Sequence, residues 1–75
     1  MRIRLKLMGT LKARTPGGGT LEVADGATVD DVLRTLGIDP QAIRVCTVNG
    51  LLERDRARVL DADDELAVIP PVGGG

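Results

Sequence analysis

Chemistry needs groups that can attack, transfer protons or be activated, and this sequence of 75 residues offers few. It has no His and no Ser, so a conventional pair of nucleophile and base cannot be assembled, and a self-sufficient enzyme is not expected. What stands out is the C-terminal stretch Pro70-Pro71-Val72-Gly73-Gly74-Gly75. Glycine lacks a Cβ, so Gly73 and Gly74 can enter a channel that would exclude any side chain and bring the Gly75 carboxylate to a reactive centre. Pro70 and Pro71 fix φ and bias the residue before each of them toward extended structure, which predicts a stiff spur leaving the last strand. The competing reading is a frayed terminus or linker, where Gly-rich composition means only flexibility.

Other candidates for chemistry weaken on inspection. Cys46, the single cysteine, shares a strand face with Val48, which predicts a buried structural thiol, and one cysteine cannot form an internal disulfide. Gly17-Gly18-Gly19 has no following Gly-Lys-Ser/Thr and leads into a strand pattern, so it reads as a loop and not as a phosphate cradle. The acidic run from Asp61 to Glu65 lacks the ligand spacing and the glycine of a calcium loop, which predicts a solvated turn. No metal site is expected.

Composition narrows the partners. The chain is 43% apolar with a net charge of -1, as in a globular protein, and its lack of Phe, Tyr and Trp removes the platforms on which single-stranded nucleic acid stacks. The apolar runs are too short to span a bilayer and the start Met1-Arg2-Ile3-Arg4 does not resemble a signal peptide, so neither nucleic acid nor membrane is an expected partner and the cytoplasm is the expected compartment.

The elements that must position the tail follow from periodicity. Arg2, Arg4 and Lys6 alternate with Ile3, Leu5 and Leu7, a strand with one wet and one buried face. After Gly9 and Pro16 to Gly19, Thr20 to Val23 resumes the alternation, giving a hairpin with a long connection. Thr28 with Asp31 forms a capping box, Val29, Val32, Leu33 and Leu36 make one apolar stripe, and Gly37 with Pro40 supplies the stop. A helix of about three turns is predicted, lying across the buried face of the sheet.

Ile43 to Val48 is rich in strand formers and Asn49-Gly50 is a turn signal. The segment from Glu53 to Arg58 alternates in charge and should be solvated, with Val59 and Leu60 returning to the core. Leu66-Ala67-Val68-Ile69, nearly all apolar, predicts a central last strand. The simplest closed solution is an α+β β-grasp, or ubiquitin-like, fold: a mixed sheet of four to five strands packed on one main helix. Residues 1–69 would form that domain and residues 70–75 a flexible glycine tail.

The sequence resembles the MoaD/ThiS family of ubiquitin-like sulfur carriers along essentially its whole length. The resemblance is carried by Leu5 to Leu11, Gly26-Ala27-Thr28-Val29, Val48-Asn49-Gly50 and Ile69 to Gly75. Pro-Pro-Val before the glycines is most similar to the small subunit of molybdopterin synthase, whereas Val48-Asn49-Gly50 is shared with the thiamine-pathway carrier. The chain departs from the molybdopterin type in having Met8 and Val68-Ile69 where aromatics are usual, and Gly73 where Ser or Thr is usual. In the turn Ala62-Asp63-Asp64, Asp63 replaces the family's glycine, a residue type that tolerates left-handed backbone.

The resemblance implies a carrier protein or non-catalytic subunit. An E1-like enzyme would adenylate Gly75 with ATP and convert it to a thiocarboxylate, and a sulfur-accepting enzyme, such as a molybdopterin synthase large subunit, would take the sulfur. No cofactor would be bound stably, because the ATP and sulfur donor belong to the partner. Gly73 and Gly74 would thread, while Leu11, Val68, Pro70, Pro71 and Val72 would supply an apolar docking patch. A terminus already at Gly75 implies that no trimming is needed. The alternatives are a carrier for thiamine synthesis or tRNA thiolation, a ubiquitin-like modifier forming isopeptide conjugates, and a β-grasp binding module whose glycines are incidental.

Overall fold

The computed structural model describes residues 1–43 and 45–70. Strand β1 (Arg2–Leu7) keeps the alternation expected of it, with Ile3, Leu5 and Leu7 buried and Arg2, Arg4 and Lys6 exposed. It pairs antiparallel with β2 (Thr20–Glu22), placing Ile3 opposite Leu21. The connection between them is long because it is itself folded, into 3-10 turns at Gly9–Arg14 and Gly17–Gly19. Gly17-Gly18-Gly19 is thus a turn leading into a strand, as its context predicts.

The capping box forms: the Asp31 amide donates to Thr28 Oγ1 at 3.2 Å and the Thr28 amide donates to Asp31 Oδ2 at 3.0 Å. Helix α1 (Val29–Thr35) is shorter than the three turns expected, at 7 residues. Its stripe extends to Leu36, but Leu36 is already the C-cap and only half-buried, whereas Val29, Val32 and Leu33 are fully buried. Gly37, at φ 74°, ends the helix in a Schellman arrangement, its amide donating to Arg34 O and that of Ile38 to Leu33 O. Arg14, from the β1–β2 connection, donates through Nη1 to the carbonyls of Leu36 and Gly37, each at 3.2 Å. A cation thereby meets the negative end of the helix.

Strands β3 (Val45–Val48) and β4 (Leu51–Glu53) form a hairpin whose two loop residues, Asn49 (φ 53°) and Gly50 (φ 83°), both have positive φ, as a type I′ turn requires. Glu53, expected in a solvated surface segment, is instead the last residue of β4 and is held by Arg58 Nη1 at 2.8 Å. Val59 does not return to the core. It bridges to Thr28 and is 54% exposed, while Leu60 is fully buried, because an extended segment turns successive side chains to opposite sides.

Strand β5 (Glu65–Ile69) completes the sheet in the order β2-β1-β5-β3-β4, parallel to β1 and antiparallel to β3. This mixed sheet on one main helix is the β-grasp architecture expected. The core lies between α1 and one sheet face, where Val29, Val32 and Leu33 meet Ile3, Leu5, Leu7, Leu66 and Val68. Fully burying each such side chain contributes about 1.5–3 kcal/mol, so an aliphatic core with no aromatic rings can hold the fold.

Candidate functional site: the end of the central strand and the open face of the sheet

The C-terminal end of β5 is gripped from both sides. Met8 donates its amide to Val68 O at 3.1 Å, and Ile69 pairs with Val45 of β3. Pro70 then crosses Gly9, its Cγ only 3.2 Å from where a Cβ on Gly9 would stand. Gly9 also holds φ 58°, so the close approach and the backbone conformation both call for glycine there. Whatever follows Pro70 therefore starts from a fixed point on the two central parallel strands. Of the expected site residues, Pro71, Val72, Gly73, Gly74 and Gly75 lie outside the described residues.

The proposed docking side chains divide. Leu11 is half-buried against the core edge and Pro70 is half-buried beside Gly9. Val68 is fully buried, opposite Cys46 and beside Leu7, and presents no surface to a partner. Its neighbours Ala67 and Ile69 face the other side of the sheet, where Ala67 is itself buried, at 7% exposure, and Ile69 is half-buried. Directly paired residues point to the same side of a sheet, so Ala67 is flanked by Lys6 and Thr47, and Ile69 by Val45. Leu52, opposite Thr47, extends the strip to β4 and is 55% exposed.

The open face thus carries a strip of Val45, Thr47, Leu52 and Ile69 around the buried Ala67, bordered by the cationic row of β1. Arg2 is paired with Glu22 at 3.1 Å and Arg4 with Glu65 at 3.9 Å, whereas Lys6 has no ion pair among the described residues. Sequence reasoning missed Val45, Leu52, Ala67 and Ile69. For β3 and β4 a signal existed, since the tight Asn49-Gly50 turn fixes which neighbours face together. For β5 there was none, because every residue from Leu66 to Ile69 is apolar.

Among the described residues no catalytic constellation accompanies this face. Cys46 is buried, and loss of hydration raises its thiol above the usual cysteine range, matching the structural role expected. Asp64 is committed to structure: Oδ2 accepts from the Asp61 amide and Oδ1 from Asn49 Nδ2, both at 2.8 Å. Those bonds, the backbone one first, hold its carboxyl below the ordinary Asp value. No cluster of His, Cys, Asp or Glu able to hold a metal occurs among the described residues, and no helix there is long and apolar enough to cross a membrane.

Comparison with known proteins places these features. A family model described as the ThiS family matches residues 5–75. The solution structure of the Haloferax volcanii HVO 2177 protein is similar with TM-score 0.73 and 32% identity, over 100% of this chain and 87% of that one. The crystal structure of small archaeal modifier protein 1 from Haloferax volcanii is similar with TM-score 0.70 and 28% identity, over 95% of this chain and 98% of that one. A complex of subunits 1 and 2 of molybdopterin-converting factor from Helicobacter pylori shares the fold, with TM-score 0.63 and 17% identity over 100% of both chains. No curated protein matches the sequence.

Proposed function

Since the chain belongs to the ThiS family and has the fold of ubiquitin-like sulfur carriers and modifiers, we propose that it is a sulfur carrier whose reactive group is the carboxyl of Gly75. A carboxylate is a poor acyl donor because its leaving group would be oxide. An E1-like partner supplies ATP, and attack of the Gly75 carboxylate on its α-phosphorus forms an acyl adenylate and releases pyrophosphate. A persulfide sulfur then displaces AMP, and a thiol reduces the resulting acyl disulfide to leave the thiocarboxylate. That group is ionised at neutral pH and is itself the nucleophile for a second partner, a sulfur-accepting enzyme.

The chain's own part is presentation, and it acts as a carrier or non-catalytic subunit with ATP and sulfur donor bound elsewhere. Residues 1–69 form the grip, and residues 70–75 the tail that Gly73 and Gly74 make narrow enough to thread. Leu11, Pro70, Pro71, Val72 and the strip from Leu52 to Ile69 dock the partner, with acidic groups on the partner facing Lys6. The observation that carries this reading is the family match running through Gly73-Gly74-Gly75. Pro70-Pro71-Val72 supports proposing molybdopterin synthesis, ahead of thiamine synthesis and tRNA thiolation, as the destination.

The test is the intact mass of the protein isolated from cells containing its native activating enzyme. Exchange of one oxygen for sulfur, lost when Gly75 is deleted, is the expected result, and an unmodified mass would count against the carrier. The likeness to small archaeal modifier protein 1 favours a second reading, in which the same adenylate is passed to lysines of other proteins. Higher-mass conjugates that vanish without Gly75 would support it.

A further inference from the structure

Strand β4 is an edge of the sheet, and it is unusually apolar for one. Leu51 and Leu52 are 71% and 55% exposed, two of the three large apolar side chains so exposed among the described residues. Edge strands are ordinarily blunted by charge, proline or a bulge. The one charge in β4, Glu53, is turned back onto Arg58 at 2.8 Å.

The register fixes which backbone groups face outward. In a two-residue hairpin the flanking pair, Val48 and Leu51, exchanges hydrogen bonds, so the next pair, Thr47 and Leu52, does not. The Asn49 amide bonds Glu65 O at 2.8 Å, which puts the odd-numbered residues of β3 on the β5 side and confirms that phase. The N–H and C=O of Leu52 therefore point away from the sheet.

From this we infer that β4 is a self-pairing edge: a second copy of the chain adds to it antiparallel, on a two-fold axis through Leu52. In that register the two Leu52 residues exchange both outward hydrogen bonds and their side chains meet on the open face, prolonging the strip of Val45 and Thr47 across the axis. On the other face Leu51 lies over the methylenes of Glu53 from the second copy, whose carboxylate Arg58 already neutralises. No like charges are brought opposite one another within β4.

Strands β4 and β5 run parallel within one copy, each being antiparallel to β3, so the two β5 strands end on opposite sides of the joined sheet. The Ile69 end of each β5 stays clear of the joint. A three-residue edge gives an interface well below the roughly 1,200–2,000 Å² of stable, specific complexes, so the pairing is transient. A dissociation constant of about 0.1–1 mM is expected.

The test is a dilution series of the whole protein to about 1 mM, followed by sedimentation and by amide NMR shifts. The expected result is a rising average mass, with concentration-dependent shifts centred on Leu52. Leu52→Pro removes the outward donor while sparing the bonds to β3, and Leu52→Lys keeps the donor but brings two like charges opposite one another on the axis; each should weaken self-association at least tenfold. If Leu52→Pro does not fold, Leu52→Lys decides. A wild type that stays monomeric overturns the inference, as do variants that associate like wild type. Shifts at Leu52 only on adding an activating enzyme would also overturn it, assigning the edge to a partner's strand.

Discussion

Asn49 Nδ2 donates to Asp64 Oδ1 at 2.8 Å, joining the β3–β4 turn to the turn that launches β5. Asn49 Oδ1 in turn accepts from the Glu65 amide at 2.9 Å, and Asp64 Oδ2 from that of Asp61 at 2.8 Å. Two turns distant in sequence thus fix each other, and with them the direction in which the tail-bearing strand sets out. Asp64→Ala should cost about 1–3 kcal/mol, the range for leaving hydrogen-bonding groups without partners. Asn49→Gly, which keeps the backbone conformation but loses the side-chain bonds, should also destabilise. Urea midpoints at constant slope are the measurement, and an unchanged midpoint for Asp64→Ala would refute the linkage.

The same carboxylate sets a pH dependence. Its folded-state pKa is depressed below the Asp value, so the unfolded chain binds more protons in acid and stability rises with pH there. The contribution is complete above about pH 4, near the unfolded pKa, and is lost as the pH falls through the lower folded value. Urea midpoints taken from neutral pH into acid should fall over that window. Asp64→Asn should flatten part of the fall, and an unaltered slope would place the acid sensitivity elsewhere.

Gly9 and Gly17 should respond oppositely to alanine. At Gly9 a Cβ meets Pro70 at 3.2 Å with φ 58°, so Gly9→Ala should destabilise by about 1–2 kcal/mol and displace the root of the tail. Gly17 has nothing within 4 Å and no positive φ, so Gly17→Ala should be neutral or stabilising by about 0.4–1 kcal/mol. Thermal melts of the two variants side by side give the comparison. A loss at Gly17 equal to that at Gly9 would contradict it.

Thr47 sits on the open face between Leu52 and Ala67. Thr47→Glu should leave the melting curve close to wild type, within about 0.5–1 kcal/mol, since the site is half-buried and borders Lys6's neighbour Ala67. It should sharply reduce sulfur loading of Gly75 by the activating enzyme. Loading at the wild-type rate would remove this face from the docking surface.

Leu33→Ala probes the core beneath. Leu33 is fully buried among β-strand side chains, so a loss of about 2–5 kcal/mol is expected, a large share of what so small a domain has. Denaturant titration measures it directly.

Local chemistry made much of this molecule legible in its sequence. The alternation of Arg2 to Leu7, the Thr28–Asp31 box and the Asn49-Gly50 turn each depend on residues within a few positions, and each forms as read. Asp63 takes the glycine's place in its turn at φ 65°, which its short polar side chain tolerates. The Gly73-Gly74-Gly75 end and its family were likewise readable without coordinates. What only the tertiary structure decided was parity and partnership. Leu66, Ala67, Val68 and Ile69 look alike to any periodicity test, and only pairing with β1 on one side and β3 on the other turns Val68 toward the helix and sets Ala67, still buried, and the half-buried Ile69 on the opposite face. Val59 and Leu60 divide for the same reason, through the backbone bonds that tie 58 to 60 across the start of α1. Burial on a sheet is a relation between strands, and a strand apolar throughout carries no record of which face its neighbours will cover.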